Sequence, residues 1–232
     1  ARLGTWDDLS EAIRECHDMG VKVILFVNTY PICVDLDWYD QELYRYRAIN
    51  EHGEWYPDEC VGLGTVYGRL VTASRVVPWK KGRTRLTVNG SLGVPEFRKL
   101  LVKQFRKLAE IGADGLHIDQ CTGWGFDFNP LVELPPDQAI AEGQLRCLDE
   151  ALQACRQVNP EFSVSLESHQ WDRPLKYANV AWDWMPSYTR DYYATTVTKY
   201  TFPEWVGTCT VFQAYDYNIV NNAVRYGIFL HI

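Results

Sequence analysis

Three apolar stretches of this chain each stop on a carboxylate, and that repetition constrains its fold more than any other feature. They are Gly112-Ala113-Asp114-Gly115-Leu116-His117-Ile118-Asp119, Phe162-Ser163-Val164-Ser165-Leu166-Glu167 and Asn179-Val180-Ala181-Trp182-Asp183. Each has the length and apolar content of a buried strand, and each follows a helical segment or a turn. Strand alternating with helix implies parallel strands joined by right-handed crossovers. Carboxylates at the C-terminal ends of successive parallel strands collect at one mouth of such a fold, where barrel enzymes keep their chemistry.

The surrounding pattern extends the alternation. Thr5 or Asp7 can cap a first helix with Leu9, Ile13, Cys16 and Met19 at helical spacing, ending at Gly20. Val21–Asn28 then reads as a buried parallel strand. Residues 29–93 hold a short helix near 38–48 and a strand over Arg85–Asn89, set among glycines and prolines typical of long excursions over a site. Pro95 opens an amphipathic helix bearing Phe97, Leu101, Phe105 and Leu108 on one face. Residues 137–157 are helical, a strand is expected at Thr210–Ala214, and Asp216 opens a last helix whose pattern runs to Ile232. The expected fold is α/β: a (β/α)8 TIM-type barrel with long loops on the catalytic face, incomplete in this chain or excised from a longer one. Residues 1–232 are expected to form a single catalytic barrel domain of a larger multidomain protein.

Composition removes several classes of function. A length of 232 residues suits one barrel of the usual ~250. A net charge of −7 disfavours nucleic acid and anionic membrane surfaces as partners. No stretch approaches the ~18 consecutive apolar residues of a transmembrane helix. The seven cysteines form neither a Cys-x-x-Cys pair nor a zinc-like Cys/His cluster, and Cys16, Cys147 and Cys155 fall in helical patterns as buried thiols. With 9 Trp and 14 Tyr, many of them in loops, the chain has aromatic surface suited to stacking on sugar rings. There is no initiator Met and no signal-peptide pattern, so the sequence assigns no compartment.

Side chains alternate along a strand, so residues two apart share a face. His117 then points with Asp119, while Leu116 and Ile118 face the helices. Ser163, Ser165 and Glu167 share a face opposite Val164 and Leu166, and Ala181 shares one with Asp183 opposite Trp182 and Trp184; in each strand the small or polar face is expected to point inward to the site. Two carboxyl groups across one bond are what glycoside hydrolysis requires: one attacks the anomeric carbon and the other protonates the leaving oxygen. Neighbouring strand ends can hold them at the ~5–5.5 Å of the retaining mode, the more buried one serving as acid. Such a mechanism needs no cofactor and no metal.

The segment Gly112–Asp119 resembles the fourth-strand nucleophile motif of the α-retaining glycosidase barrels, a superfamily that includes the α-galactosidases (melibiases), the α-amylase group and barrels acting on α-linked N-acetylgalactosamine. Gly20–Phe26 resembles an early strand of the same barrels. The resemblance implies that Asp119 is the nucleophile. It further implies an acid/base at Glu167, as in the amylase-like branch, or at Asp183, as in the galactosidase-like branch. The amylase-like branch usually has an Arg two residues before the nucleophile, and this chain departs from it with His117 there.

The candidate catalytic residues are thus Asp119, Glu167 and Asp183, with Asn28, His117, Trp124, His169, Trp171 and Asp216 as candidate substrate-binding residues. The expected partner is a carbohydrate, an oligo- or polysaccharide. Asp114, at the opposite end of its strand, reads as structural. Two other functions fit a barrel with strand-end carboxylates: a divalent-metal enolase-type enzyme, which wants a Lys or His base at a strand end, and a non-catalytic glycan-binding barrel.

Overall fold

A computed structural model of the chain describes residues 4–33, 36–54, 77–79, 83–85, 87–119, 121, 125–167, 172–178, 180–182, 194–210 and 216–231. In chain order the elements are helix α1 (Trp6–Asp18), strands β1 (Ile24–Asn28) and β2 (Pro31–Cys33), a 3-10 turn (Leu43–Tyr46), strands β3 (Val77–Trp79), β4 (Arg83–Arg85) and β5 (Thr87–Asn89), and helix α2 (Pro95–Glu110). Strand β6 (Gly115–Asp119), helix α3 (Pro136–Arg156), strand β7 (Ser163–Glu167), a second 3-10 turn (Arg173–Lys176) and strand β8 (Val180–Trp182) follow. Helix α4 (Ala194–Thr201), strand β9 (Val206–Thr210), helix α5 (Asp216–Tyr226) and strand β10 (Phe229–His231) complete the order. The chain divides into two units, one of Ala1–Val27, Phe105–Cys121 and Ala151–Ile232, the other of Asn28–Gln104 and Thr122–Glu150.

The first unit carries a six-stranded sheet in the order β1-β6-β7-β8-β9-β10. Strands β6 to β10 pair in parallel, each with the next along the chain. This is the alternation read from the sequence, with six parallel-sheet strands among the described residues against the eight of a closed barrel. Helix α1 starts as its sequence dictates: Thr5 Oγ1 accepts the Asp8 amide at 3.2 Å, and Asp8 returns a bond to the Thr5 amide at 2.6 Å. Ile13 is its buried contact, and the Ser10 hydroxyl donates to the Ile111 carbonyl at 3.0 Å. Met19 lies beyond the helix and is 72% exposed, so it takes no part in the expected apolar face.

Asp114 has the structural role expected of it. Its carboxylate accepts from Lys22 Nζ at 2.9 Å and the Val23 amide at 2.8 Å, and lies 2.7 Å from His17 Nε2, tying the entrance of β1 to that of β6. Burial is the largest single influence and would raise its pKa, but Lys22, the Val23 amide and His17 together outweigh it and bring the carboxyl down from 3.8 to about 2. A carboxyl depressed in the folded state stabilises the fold above its unfolded pKa, and that stability is lost as pH falls from about 4 toward about 2. Allowing for solvent screening, Asp114→Asn is expected to cost about 1 kcal/mol at neutral pH and nothing near pH 2. Urea midpoints measured across that range test this, and parallel curves for the two proteins would refute it.

Strand β9, Val206–Thr210, shares Thr210 with the strand expected at Thr210–Ala214, and residues 211–215 lie outside the described set. The sequence reading passed over Val206–Cys209, where Gly207 and Thr208 dilute the apolar signal. The last element differs from the sequence reading. The helical pattern assigned through Ile232 stops at Tyr226. Gly227 turns the chain with φ +64°, the Ile228 amide bonds back to the Ala223 carbonyl at 2.9 Å, and Phe229–His231 pairs with β9 as a strand.

In the second unit, β2 pairs antiparallel with β5, and β3 with β4. The helix expected near 38–48 is only the 3-10 turn at 43–46, because Arg47 is extended and bridges Gly90 while the Ala48 amide bonds to the Asn89 carbonyl at 2.8 Å. The expected strand Arg85–Asn89 appears as β4 and β5, and residues 55–76 lie outside the described set. Asp127, which the sequence did not single out, holds this unit together. It is 1% exposed, and its Oδ1 accepts the Ile49 amide at 3.0 Å and the Asn129 amide at 2.9 Å. Burial raises its pKa, opposed by the nearby Ser91 hydroxyl and by those two amides. Asn129 Nδ2 donates to the carbonyls of Arg45 and Arg47 at 2.8 and 2.6 Å. The amphipathic start of α2 buries Phe97 and Arg98, the latter paired with Glu150 at 3.1 Å and bonded to the Leu92 carbonyl at 2.8 Å.

Candidate active site

Strands β6 and β7 build the site, and their alternation follows the sequence. On the helix side Leu116, Ile118, Val164 and Leu166 are 0–3% exposed. On the other face His117, Ser163, Ser165 and Glu167 are half-buried. Gly115 stands beside Ser163, where a Cβ would lie 2.6 Å from the Ser163 carbonyl oxygen, so only glycine lets the two strands approach at this rung. The register pairs His117 with Ser165 and Ile118 with Leu166. Carried one residue further, it sets Asp119 beside Glu167 at the C-terminal ends of the two strands. The two residues thus end neighbouring parallel strands, whose backbones lie ~4.8 Å apart. Asp119 is 9% exposed and Glu167 is half-buried.

One rung below, His117 is held from both sides. Its Nδ1 lies 2.9 Å from Ser165 Oγ on β7, and its ring stands 5.5 Å from that of Phe26 on β1, inclined at 34°. Phe26 is 66% exposed on this face.

Comparison with solved structures bears on the fold. The chain matches the maltogenic α-amylase AmyB from Thermotoga neapolitana with a TM-score of 0.55 at 15% identity, covering 90% of this chain and 42% of that one. It matches the α-glucosyl transfer enzyme XgtA with a TM-score of 0.61 at 12% identity, covering 89% and 47%. It matches Ega3 from Aspergillus fumigatus, in complex with galactosamine, with a TM-score of 0.51 at 11% identity, covering 87% and 64%. The chain shares the fold of amylase-type barrels. It spans between about two fifths and two thirds of the length of these proteins. No family model and no curated protein sequence matches it.

On that fold the other expected site residues fall as follows. Asn28 closes β1, its Oδ1 accepting the Tyr30 amide at 3.4 Å. Asp216 opens α5, as its position in the sequence suggested. Trp124, His169, Trp171 and Asp183 lie outside the described residues. The face assigned to Ala181 requires correction. Ala181 is fully buried and pairs with Leu166 and Gly207, on the side where Cys209 packs against Ile219 and Ala223 of α5. It therefore faces the helices and not the site, because strand alternation fixes which residues share a face but leaves open which face looks inward. Among the described residues, no three of His, Cys, Asp and Glu form a group able to hold a metal ion. No described helix is long and apolar enough to cross a membrane. The thiols of Cys147 and Cys155 are pushed up to about 12 and about 11, burial being the main cause, which makes both inert as nucleophiles. Ser165 and Phe26 are additions to the site. The alternation rule put Ser165 on the right face, but its partner became visible only once the strands were aligned.

Proposed function

We propose that the chain is a glycoside hydrolase that cleaves α-linked glycosides with retention of configuration, Asp119 acting as nucleophile and Glu167 as acid/base. The observation that carries this reading is the placement of Asp119 and Glu167 at the C-terminal ends of adjacent parallel strands, on the face opposite the helix-packed core. Glu167 protonates the departing oxygen while Asp119 attacks the anomeric carbon; Glu167 then draws a proton from the water that releases the sugar. His117, one rung deeper, contributes a polar contact to the bound sugar. Burial alone would make Asp119, the less exposed of the two, the acid. The nucleophile motif assigns the reverse.

The amylases and the glucosyl transfer enzyme that share the fold favour α-glucosides as first substrates, and the galactosamine complex adds α-linked galactosamine glycosides as a second choice. Neither supports the α-galactoside preference of the melibiase branch. The test is a panel of aryl α-glycosides of these three sugars, with the anomer of the first-formed product read by NMR and the enzyme labelled by the matching activated fluoro-sugar. Release of the α-anomer and a glycosyl adduct on Asp119 are expected. An adduct on Glu167 would reverse the two roles, and a β-anomeric first product would refute retention.

A further inference from the structure

The second unit buries a set of oxygens that its own hydrogen bonds do not use. Among the described residues, Thr29 Oγ1, Asn89 Oδ1, Ser91 Oγ and Asp127 Oδ2 are enclosed by protein yet make no hydrogen bond. Thr29, Ser91 and Asp127 are each only 1% exposed. The backbone gathers these side chains. Pro31 pairs with Asn89, and the Gly90 amide donates to the Tyr30 carbonyl at 2.7 Å, so the same antiparallel register sets Thr29 opposite Ser91. Asn89 and Ser91, two residues apart, share a face of that ladder. Asp127 is fixed through Oδ1, which accepts the Ile49 and Asn129 amides at 3.0 and 2.9 Å and leaves Oδ2 for another partner. The Ser91 hydroxyl is near enough to lower the Asp127 pKa, yet neither oxygen completes a hydrogen bond to the other. Buried oxygens side by side with no hydrogen between them are disposed as ligands around an ion are.

We propose that Asp127 Oδ2, Ser91 Oγ and Thr29 Oγ1 form a binding site for a singly charged hard metal cation, sodium in the first instance, with Asn89 Oδ1 as a further neutral oxygen. The proposal is independent of the glycosidase reading. Oxygen donors select hard cations, whereas softer metals want thiolate or imidazole, and no described group of three His, Cys, Asp or Glu offers a metal site. One carboxylate among neutral oxygens balances one positive charge and leaves half of a doubly charged ion uncompensated. A water molecule could take up the hydrogen bonds, but it would leave the carboxylate charge unpaired in the interior, where that is costly. The ion joins three segments of the unit that are distant in sequence: the turn after β1, the turn after β5 and the loop that carries Asp127.

The test follows thermal unfolding of the full chain at constant ionic strength while sodium chloride replaces choline chloride. The midpoint is expected to rise by on the order of 5 °C between about 1 mM and about 200 mM sodium, because only the folded state holds the ion. The sodium NMR line is expected to broaden in the presence of the protein, which reports binding directly. Asp127→Asn keeps the shape of the side chain and the bonds to Oδ1 but removes the charge, and it is expected to abolish both responses. Ser91→Ala and Thr29→Val keep the carboxylate and are expected to raise the sodium concentration for half the effect on the order of 10-fold. These two decide the matter if Asp127→Asn does not fold. A midpoint indifferent to the exchange of choline for sodium overturns the proposal and leaves the Asp127 carboxyl neutralised by a proton. Stabilisation by calcium chloride in place of sodium overturns the single charge, and variants that respond to sodium as the wild type does overturn the site.

Discussion

Asp119→Asn is expected to lower kcat on every glycoside the protein hydrolyses by on the order of 10⁴-fold or more, while leaving the folded state intact. The two side chains are isosteric. The strand that bears position 119 is anchored by Leu116 and Ile118, at 0% and 1% exposed, and neither touches the changed atoms by alternation. The chemical difference is large. An amide does not attack an anomeric carbon, and it offers no negative charge to the oxocarbenium-like transition state. That charge acts from a residue only 9% exposed, where water screens it poorly and its loss is felt most. Asp119→Gly with added azide should give a glycosyl azide of inverted configuration, because the small anion then attacks from the side the carboxylate has vacated. Steady-state rates, an unfolding midpoint and the azide product together form the test. Asparagine at near wild-type rate would sink the assignment.

The parts of this site that the sequence disclosed are those governed by a single strand. Alternation along Gly115–Asp119 and Ser163–Glu167 is local, so the helix-facing set of Leu116, Ile118, Val164 and Leu166 was legible without any knowledge of neighbours. The carboxylates at 119 and 167 were legible for the same reason, as was the structural place of Asp114 at the opposite strand end. What escaped depends on pairing between distant segments. Ser165 and His117 are 48 residues apart, and only the β6–β7 register shows that they meet. Ala181 was assigned to the wrong face because β8 spans just three residues, too few for its own pattern to say which side is core. The β2–β5 pair and the Asp127 and Asn129 bonds of the second unit likewise join segments separated by long stretches of chain.

Short apolar runs posed a different difficulty. Ile228-Phe229-Leu230 suits a helix as well as a strand, and Gly227, which ends α5, was the local signal available to separate the two. Val206–Thr210 failed in the opposite sense, as a buried strand whose glycine and threonines do not look like core. Gly207 and Cys209 are nevertheless buried on its helix side, so burial there is set by tertiary packing and not by residue hydrophobicity.

Glu167→Gln is expected to divide substrates by their leaving groups. A glutamine keeps the shape of the side chain on β7 but can neither give a proton to a departing oxygen nor take one from water. For glycosides whose leaving group needs that proton, kcat/KM should fall by about 10²–10⁴-fold, the usual worth of a positioned acid. For an aryl glycoside with a strongly acidic phenol, bond cleavage needs little help, so kcat/KM should change far less. The second step still lacks its base, and the glycosyl-enzyme on Asp119 should then accumulate, seen as a burst of phenol followed by a slow steady state. Azide needs no base to attack, so adding it should restore turnover and yield a glycosyl azide with the configuration of the substrate, the opposite of the product from Asp119→Gly. This pair of azide products assigns the two carboxylates without reference to their burial, which by itself ranks them the other way. If Glu167→Gln slows all substrates equally and azide does nothing, Glu167 is not the proton carrier, and Asp183 becomes the residue to replace next.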